Sequence, residues 1–190
     1  MQNRAPRLDG NGWPWWACGA NNSLAPCNCH GRPQNLFFSN VSTVRIDGLT
    51  AKNPGEWNVH LGWCDDVHVK NFKAISPPPD VVEANADGID VDACQRVLIE
   101  DSFFSVNDDV VCIKSGVDWY GRTYGRATRD VLVRNLTIAN GAGPSIGSEQ
   151  AGGVSNVTFE DIRLGKVQVG PIIKSCRGRG GVVENITFRR

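Results

Sequence analysis

The stretch "VRIDGL", residues 44–49, alternates apolar and polar side chains and then breaks on Asp-Gly. Alternation at period two marks a half-buried strand, and Asp and Gly are residues that end one. One copy would say little. The pattern returns as "VHVKNF" (67–72), "VLIEDS" (97–102), "VLVRNL" (131–136) and "VTFEDI" (157–162), and starts again as "ITFRR" at 186–190. Each copy opens on a β-branched residue and has an apolar residue two places on. Most carry Asp or Asn fifth. The starts lie 23, 30, 34, 26 and 29 residues apart.

A second strand candidate follows each copy or its predecessor: "WNVHL" (57–61), "GIDV" (88–91), "VVCIKS" (110–115), "PSIGS" (144–148) and "PIIKS" (171–175), with Gly, Asn, Asp and Pro between them. No stretch has a convincing helical period. A repeat of this length holding two or three short strands fits an all-β parallel β-helix, in which each repeat is one coil and coils stack about 4.8 Å apart. Val44, Val67, Val97, Val131 and Val157 are then predicted to form one column. Ile46, Val69, Ile99, Val133 and Phe159 fill the core beneath it. A β-sandwich is the competing architecture, but it would need hairpin turns such as Asn-Gly, and those at 11–12 and 140–141 do not recur where required. The expected organisation is a single domain over 1–190, with a loop-rich part at 1–35 and stacked coils at 36–190. Because the sixth copy stops inside a strand pattern, the chain reads as a fragment lacking terminal coils.

The bulk composition narrows the function. The 190 residues carry 20 basic and 20 acidic side chains, a balance that argues against a general binder of nucleic acid or of membrane surfaces. No apolar run approaches the ~20 residues of a membrane helix. After Met1, "QNRAPRLDG" lacks the apolar core of a signal peptide. Cys18, Cys27 and Cys29 lie in a Trp-rich, loop-like stretch suited to a disulfide. "CNCH" (27–30) could instead hold zinc, but no second ligand pair stands at the usual spacing. Five N-x-S/T triplets begin at Asn21, Asn40, Asn135, Asn156 and Asn185. They permit glycosylation, but those at 135, 156 and 185 read better as parts of the strand pattern.

The acids cluster in the repeat. "NAD", ending at Asp87, precedes "GIDV", and "NDD", ending at Asp109, precedes "VVCIKS", 22 residues later and about one coil on. Stacking would gather Asp87, Asp108 and Asp109 on one surface, with Lys174 a few coils along. Adjacent side chains on a regular strand point to opposite faces, so Asp108 and Asp109 share a face only if they occupy a turn. Crowded carboxylates suit either a cation such as calcium or acid–base hydrolysis of a glycosidic bond, with one acid kept protonated. The plainer explanation, that Asp and Asn favour turns, covers one such site better than two in matching register.

Together "NADGIDVDAC", "NDDVVCIKSG", "SIGSEQAGGV" and "IIKS…GRGG" resemble, in order and spacing over about 85–181, the polygalacturonase family, glycoside hydrolase family 28. The upstream coil with "WNVHL" and "CDDVHVKNF" extends the likeness. The resemblance implies a right-handed parallel β-helix that hydrolyses galacturonate-containing pectic polysaccharide with inversion and without a cofactor or metal. It makes Asp108 the general acid and Asp87 and Asp109 the residues that activate water. Inversion calls for acid and base about 6.5–9.5 Å apart. Lys174 matches the lysine that holds a substrate carboxylate, and Asn85, Glu149 and Arg179 are further substrate-binding candidates. Two positions depart from the family pattern: Ala142 stands where its Gly-His-Gly motif has histidine, and Ile172 where its Arg-Ile-Lys motif has arginine. The implied setting is extracellular or cell-wall, and a monomer is expected.

Other groups carry less. Lys114 would neutralise the acids or simply stack on the coil. Arg177 belongs to an exposed loop. His30, His60 and His68 fall in no motif. Trp13, Trp15 and Trp16 fit N-terminal packing better than a sugar platform. Two competing functions remain: a calcium-dependent pectate lyase, for which no arginine base is evident, and a carbohydrate-binding β-helix that has lost catalysis, favoured by Ala142 and Ile172 and opposed by the three acids.

Overall fold

A computed structural model describes residues 6–20, 31–76 and 85–190. The cysteine pairing and zinc readings, and the readings on Asn21 and His30, fall outside the described residues and side chains. Among those described, Cys64, Cys94 and Cys112 are buried free thiols, and Cys176 is an exposed one.

Every strand pairing among the described residues is parallel, and the strands form sheets of nine and six. Val44 pairs with Val67, Val67 with Val97, Val97 with Val131, Val131 with Val157, and Val157 with Ile186. Two residues on, Ile46, Val69, Ile99, Val133 and Phe159 form the predicted second column, and these side chains lie in the core. The smaller sheet stacks the other predicted strands. Its inward column runs Phe38, Leu61, Val91, Ile113, Ile146 and Ile173. Its outward column, one residue earlier, runs Phe37, His60, Asp90, Cys112, Ser145 and Ile172. Parity, the alternation of side chains along a strand, separates core from groove up to the last coil, where Ile173 is 49% exposed.

The recurring Asp or Asn is explained by the corners. Asn71, Asp101, Asn135 and Asp161 adopt φ of 50°, 51°, 49° and 53°, with Gly48 in the equivalent place. A second corner, just before each column valine after Val44 and before Ile186, is held by Asp66, Arg96, Asp130, Asn156 and Asn185, also at positive φ. Asn and Asp tolerate this left-handed conformation better than other residues with a Cβ. Their side chains then link coil to coil: Asn135 Nδ2 donates to Asp101 Oδ1 at 2.6 Å, Asn71 to Asp47 at 2.9 Å and Asn185 to Asn156 at 3.1 Å. So Asn135, Asn156 and Asn185 have a structural reason to be where they are.

Two features depart from expectation. The coil segments are less separate than the turn residues imply: Gln95–Asp109, Thr128–Ala142 and Val154–Val167 each run on around a corner as one strand. Two short helices also occur, α1 (Trp13–Ala20) and α2 (Asp118–Tyr124). Ahead of α1, Arg7–Asp9 pairs with Thr50–Lys52 and so joins the coil stack. Within α1, Pro14 is tolerated because the first turn lacks internal acceptors for its N–H groups. Trp16 is buried, with Nε1 donating to the Pro54 carbonyl at 2.8 Å. That supports packing as the role of this helix.

Candidate active site

Asp87 and Asp109 arrive by the same device. The pairing of Ile89 with Val111 places each acid two residues before the matched strand positions, and the Gly88 N–H donates to the Asp109 carbonyl at 2.8 Å. Gly88 is required here: a Cβ would come within 2.2 Å of the Val110 carbonyl oxygen. Asp108 needs a different device. Ser105 pairs with Asn140 and Asp109 with Ala142, so four steps of chain face two in the neighbouring coil. This bulge takes Asp108 out of strand alternation, and both adjacent acids can then serve one surface. The Asp109 N–H donates to Asp108 Oδ1 at 2.8 Å and fixes the arrangement.

One oxygen from each of Asp87, Asp108 and Asp109 lies within 4.8 Å of the others. This is tighter than the 6.5–9.5 Å expected for an inverting pair. The cause is the fold: the acids sit on neighbouring coils of one wall, so coil spacing sets their separation, not the width of a substrate between two walls.

The acids are unequal. Asp87 is only 3% exposed, and its Oδ1 has no hydrogen-bond partner among the described residues. Burial, reinforced by repulsion from Asp90, Asp108 and Asp109, holds its carboxyl well above the ordinary aspartate value of 3.8. Asp109 is buried and ion-paired to Lys174 Nζ. Asp108 is half-buried, the member of the three most open to the groove.

Other groups surround them. Asn85 braces the trio rather than standing free: its N–H donates to Asp108 Oδ2 at 3.3 Å, and its Oδ1 accepts from Arg32 Nη2 at 2.8 Å. Arg32 was not singled out by sequence, because it lies 53 positions from its partner and in no repeat. Asp90 was also missed. It is fully buried on the outward column, with Oδ1 3.1 Å from Lys114 Nζ, and burial pushes it up to about 6 against the pull of that ammonium. Its signal was the alternation in "IDVD", where 90 and 92 must face away from the core. Lys114 does neutralise acids: it contacts Asp90 and Glu149 (3.4 Å) and, without contact, partly offsets the charge around Asp87. Glu149 is thereby engaged with Lys114.

Arg179 does not join the trio. It pairs with Asp118 Oδ1 at 3.2 Å and anchors α2. His68 meets Glu100 at 2.8 Å on the surface. His60, by contrast, lies on the groove floor beside Asp90, against the rings of Phe37 (4.6 Å) and Trp57 (4.8 Å). Ala142 stands beside Asp109 one coil on, so the position at which the family carries histidine adjoins the trio. Ile172 follows Ser145 on the outward column.

Stacked parallel coils define a right-handed parallel β-helix, here with crowded carboxylates and lysines along one groove. Comparison with known proteins is specific. The chain belongs to the glycosyl hydrolases family 28, whose profile matches residues 4–190. It is 34% identical to a probable polygalacturonase of Vitis vinifera over 184 residues, covering 96% of this chain and 36% of that one. It is 31% identical to a polygalacturonase of Juniperus ashei, covering 95% of this chain and 34% of that one. Among solved structures, an exopolygalacturonase from Thermotoga maritima superposes with a TM-score of 0.86 at 26% identity, covering 97% of this chain and 52% of that one. The chain thus spans about a third of the length of these curated relatives.

Proposed function

We propose that this chain carries the catalytic groove of an inverting glycoside hydrolase acting on galacturonate-containing pectic polysaccharide. The observation that supports it most is the convergence of Asp87, Asp108 and Asp109 to within 4.8 Å, with Lys174 already on Asp109. Asp108, the most open to the groove, donates a proton to the leaving oxygen. Asp87 and Asp109 hold the attacking water. Burial and repulsion raise the Asp87 carboxyl, and because the three acids interact, pH profiles report the trio and not one residue. Lys174 offers a substrate carboxylate a point charge, without the two-pronged grip that an arginine at position 172 would add.

Acid–base chemistry suits these side chains better than calcium. Calcium takes six to eight oxygens, whereas here an ammonium already holds Asp109. Alongside this goes a single domain, a monomer, and action outside the cell or in the cell wall. No helix among the described residues is long and apolar enough to cross a membrane.

The test is product analysis on homogalacturonan and rhamnogalacturonan, with and without a calcium chelator. New reducing ends from homogalacturonan, unaffected by chelation, are expected. An unsaturated, ultraviolet-absorbing product that needs calcium would replace hydrolysis with a lyase reaction. Binding without any product would leave a carbohydrate-binding module.

A further inference from the structure

A second cavity, of about 480 Å³, opens beside the trio at the other end of the same strands. Its floor is Lys114 and Asp92, and its walls are aromatic: Trp57, Trp63, Tyr120 and Tyr124. Asp87 and Asp92 are five residues apart on the chain, about 16 Å at the rise of a strand. The cavity therefore lies apart from the catalytic cluster, at the far end of the strands that carry it.

The far wall is α2, a seven-residue insertion between coil strands. Gly121 lets it approach, since a Cβ there would meet Gly116 C at 2.7 Å and Ala151 Cβ at 2.8 Å. Arg122 Nη1 donates to the Gly178 carbonyl at 2.7 Å, and Arg179 pairs with Asp118, so α2 is tied to the next coil's loop. Although held in place, it leaves Tyr120 75% and Tyr124 63% exposed. Trp63, from the opposite side, meets Tyr124 edge to face at 6.0 Å. The large aromatic rings that α2 leaves open suit a flat apolar partner, such as the C–H face of a pyranose.

The charges define which pyranose. Both cations lining the cavity are already committed. Lys114 sits between Asp90 and Glu149 and 4.2 Å over the Trp57 ring. Arg126 donates to the Ala93 carbonyl at 2.6 Å and to Asp65 at 3.0 Å. A uronate carboxylate entering here would find Asp92 and Glu149 and no uncommitted cation among the lining residues. At the trio, Lys174 is also paired, to Asp109 alone among the described residues, but its side chain is 33% exposed against 7% for Lys114, so it remains open to a substrate carboxylate.

We propose that this cavity is a subsite for an uncharged sugar, a pyranose with no free carboxylate, stacked on the exposed Tyr120 and Tyr124 rings of α2. The groove would then read an acidic residue at Lys174 and a neutral one at α2. The neutral unit could be a methyl-esterified galacturonate or a xylose side chain, which share this chemistry. The inference rests on the pectin-hydrolase reading of the groove.

The test measures binding apart from turnover. Calorimetry with the Asp108→Asn protein would use oligogalacturonides in three forms: free acid, fully methyl-esterified, and xylose-substituted. Adding Tyr120→Ala and Tyr124→Ala should weaken an uncharged-unit ligand about tenfold and leave the free acid within about twofold. Tyr120→Phe alone, which keeps the ring, should retain binding. Whichever uncharged ligand loses more identifies the source. Because both tyrosines are exposed, their truncation leaves the core intact. An equal loss on all three ligands, or no loss on any, overturns the subsite while sparing the hydrolase. If the Asp108→Asn protein binds none of them, both readings fall.

Discussion

Aspartate is stacked by this fold in two places, with opposite results. At the corners, Asp47 and Asp66 are exposed and held below the usual carboxylate range, Asp47 by Asn71 and Lys70 and Asp66 by Arg96. In the groove, Asp87 and Asp90 are buried and held above it. The coil spacing is the same in both. At a corner the neighbour in the stack is an amide or a cation, and the carboxylate reinforces the fold. In the groove Asp87 is buried among other carboxylates, and Asp90 is buried deeply enough that desolvation outweighs the pull of Lys114, so the arrangement opposes folding. Clusters that a fold tolerates at its own expense are candidates for chemistry.

Substitution should separate the two regions most sharply in turnover. Asp108→Asn is expected to reduce release of reducing ends from polygalacturonate by about 100-fold or more. Asp101→Asn, at a corner, should stay within about twofold of the parent. Similar losses in both would erase the distinction.

Stability should show the next largest difference. Lys114→Met leaves Asp90 buried and without its counter-ion, and breaking such a pair costs about 3–5 kcal/mol. Thermal melts should fall by roughly 10 °C. Removing the corner pair through Arg134→Ala, where Arg134 Nη2 stands 2.6 Å from Glu100 with its side chain 45% exposed, should cost no more than about 1 kcal/mol. Equal shifts would mean that burial does not distinguish the two pairs.

A smaller effect has the opposite sign. Asp87 has a raised value in the folded state, so the folded protein binds the extra proton between pH 3.8 and that higher value. The parent's stability therefore falls as pH rises through this window, and the deficit is complete above it. Asp87→Asn removes the deficit. It should melt roughly 3 °C higher at neutral pH, with the advantage vanishing below pH 3.8, where the parent's Asp87 is protonated in both states. A variant less stable than the parent at neutral pH would show that Asp87 contributes to the fold as the corner acids do.

The coil stack was legible because two residues per alternation and one coil per repeat leave little freedom: once Val44 and Val67 align, every core position follows. Asp87 and Asp109 were legible for the same reason. Asp108 was legible only as a problem, since parity forbids it the shared face and the bulge that resolves this leaves no residue signature. Both helices escaped notice. They are short, and α2, "DWYGRTY", has Gly at its centre and presents tyrosines outward, so no apolar stripe marks it. Arg32, Asp90 and Arg179 act through partners on other coils, and pairwise reach across coils is invisible until the register is known. The carboxyl spacing was misjudged because the sequence places acids on coils but says nothing of whether they face each other across a groove or share a wall.

That shared wall makes product stereochemistry the most direct test of the account. Three carboxylates on one wall, with one oxygen from each within 4.8 Å of the others, are assigned here to a single displacement by water. They also match the closer spacing, about 5–5.5 Å, associated with a covalent intermediate and retention. Proton NMR of the first products of polygalacturonate cleavage, read before the anomers equilibrate, distinguishes the two. The account predicts the anomer opposite to that of the linkage cleaved. The same anomer would contradict it, and would make one of the three aspartates a nucleophile.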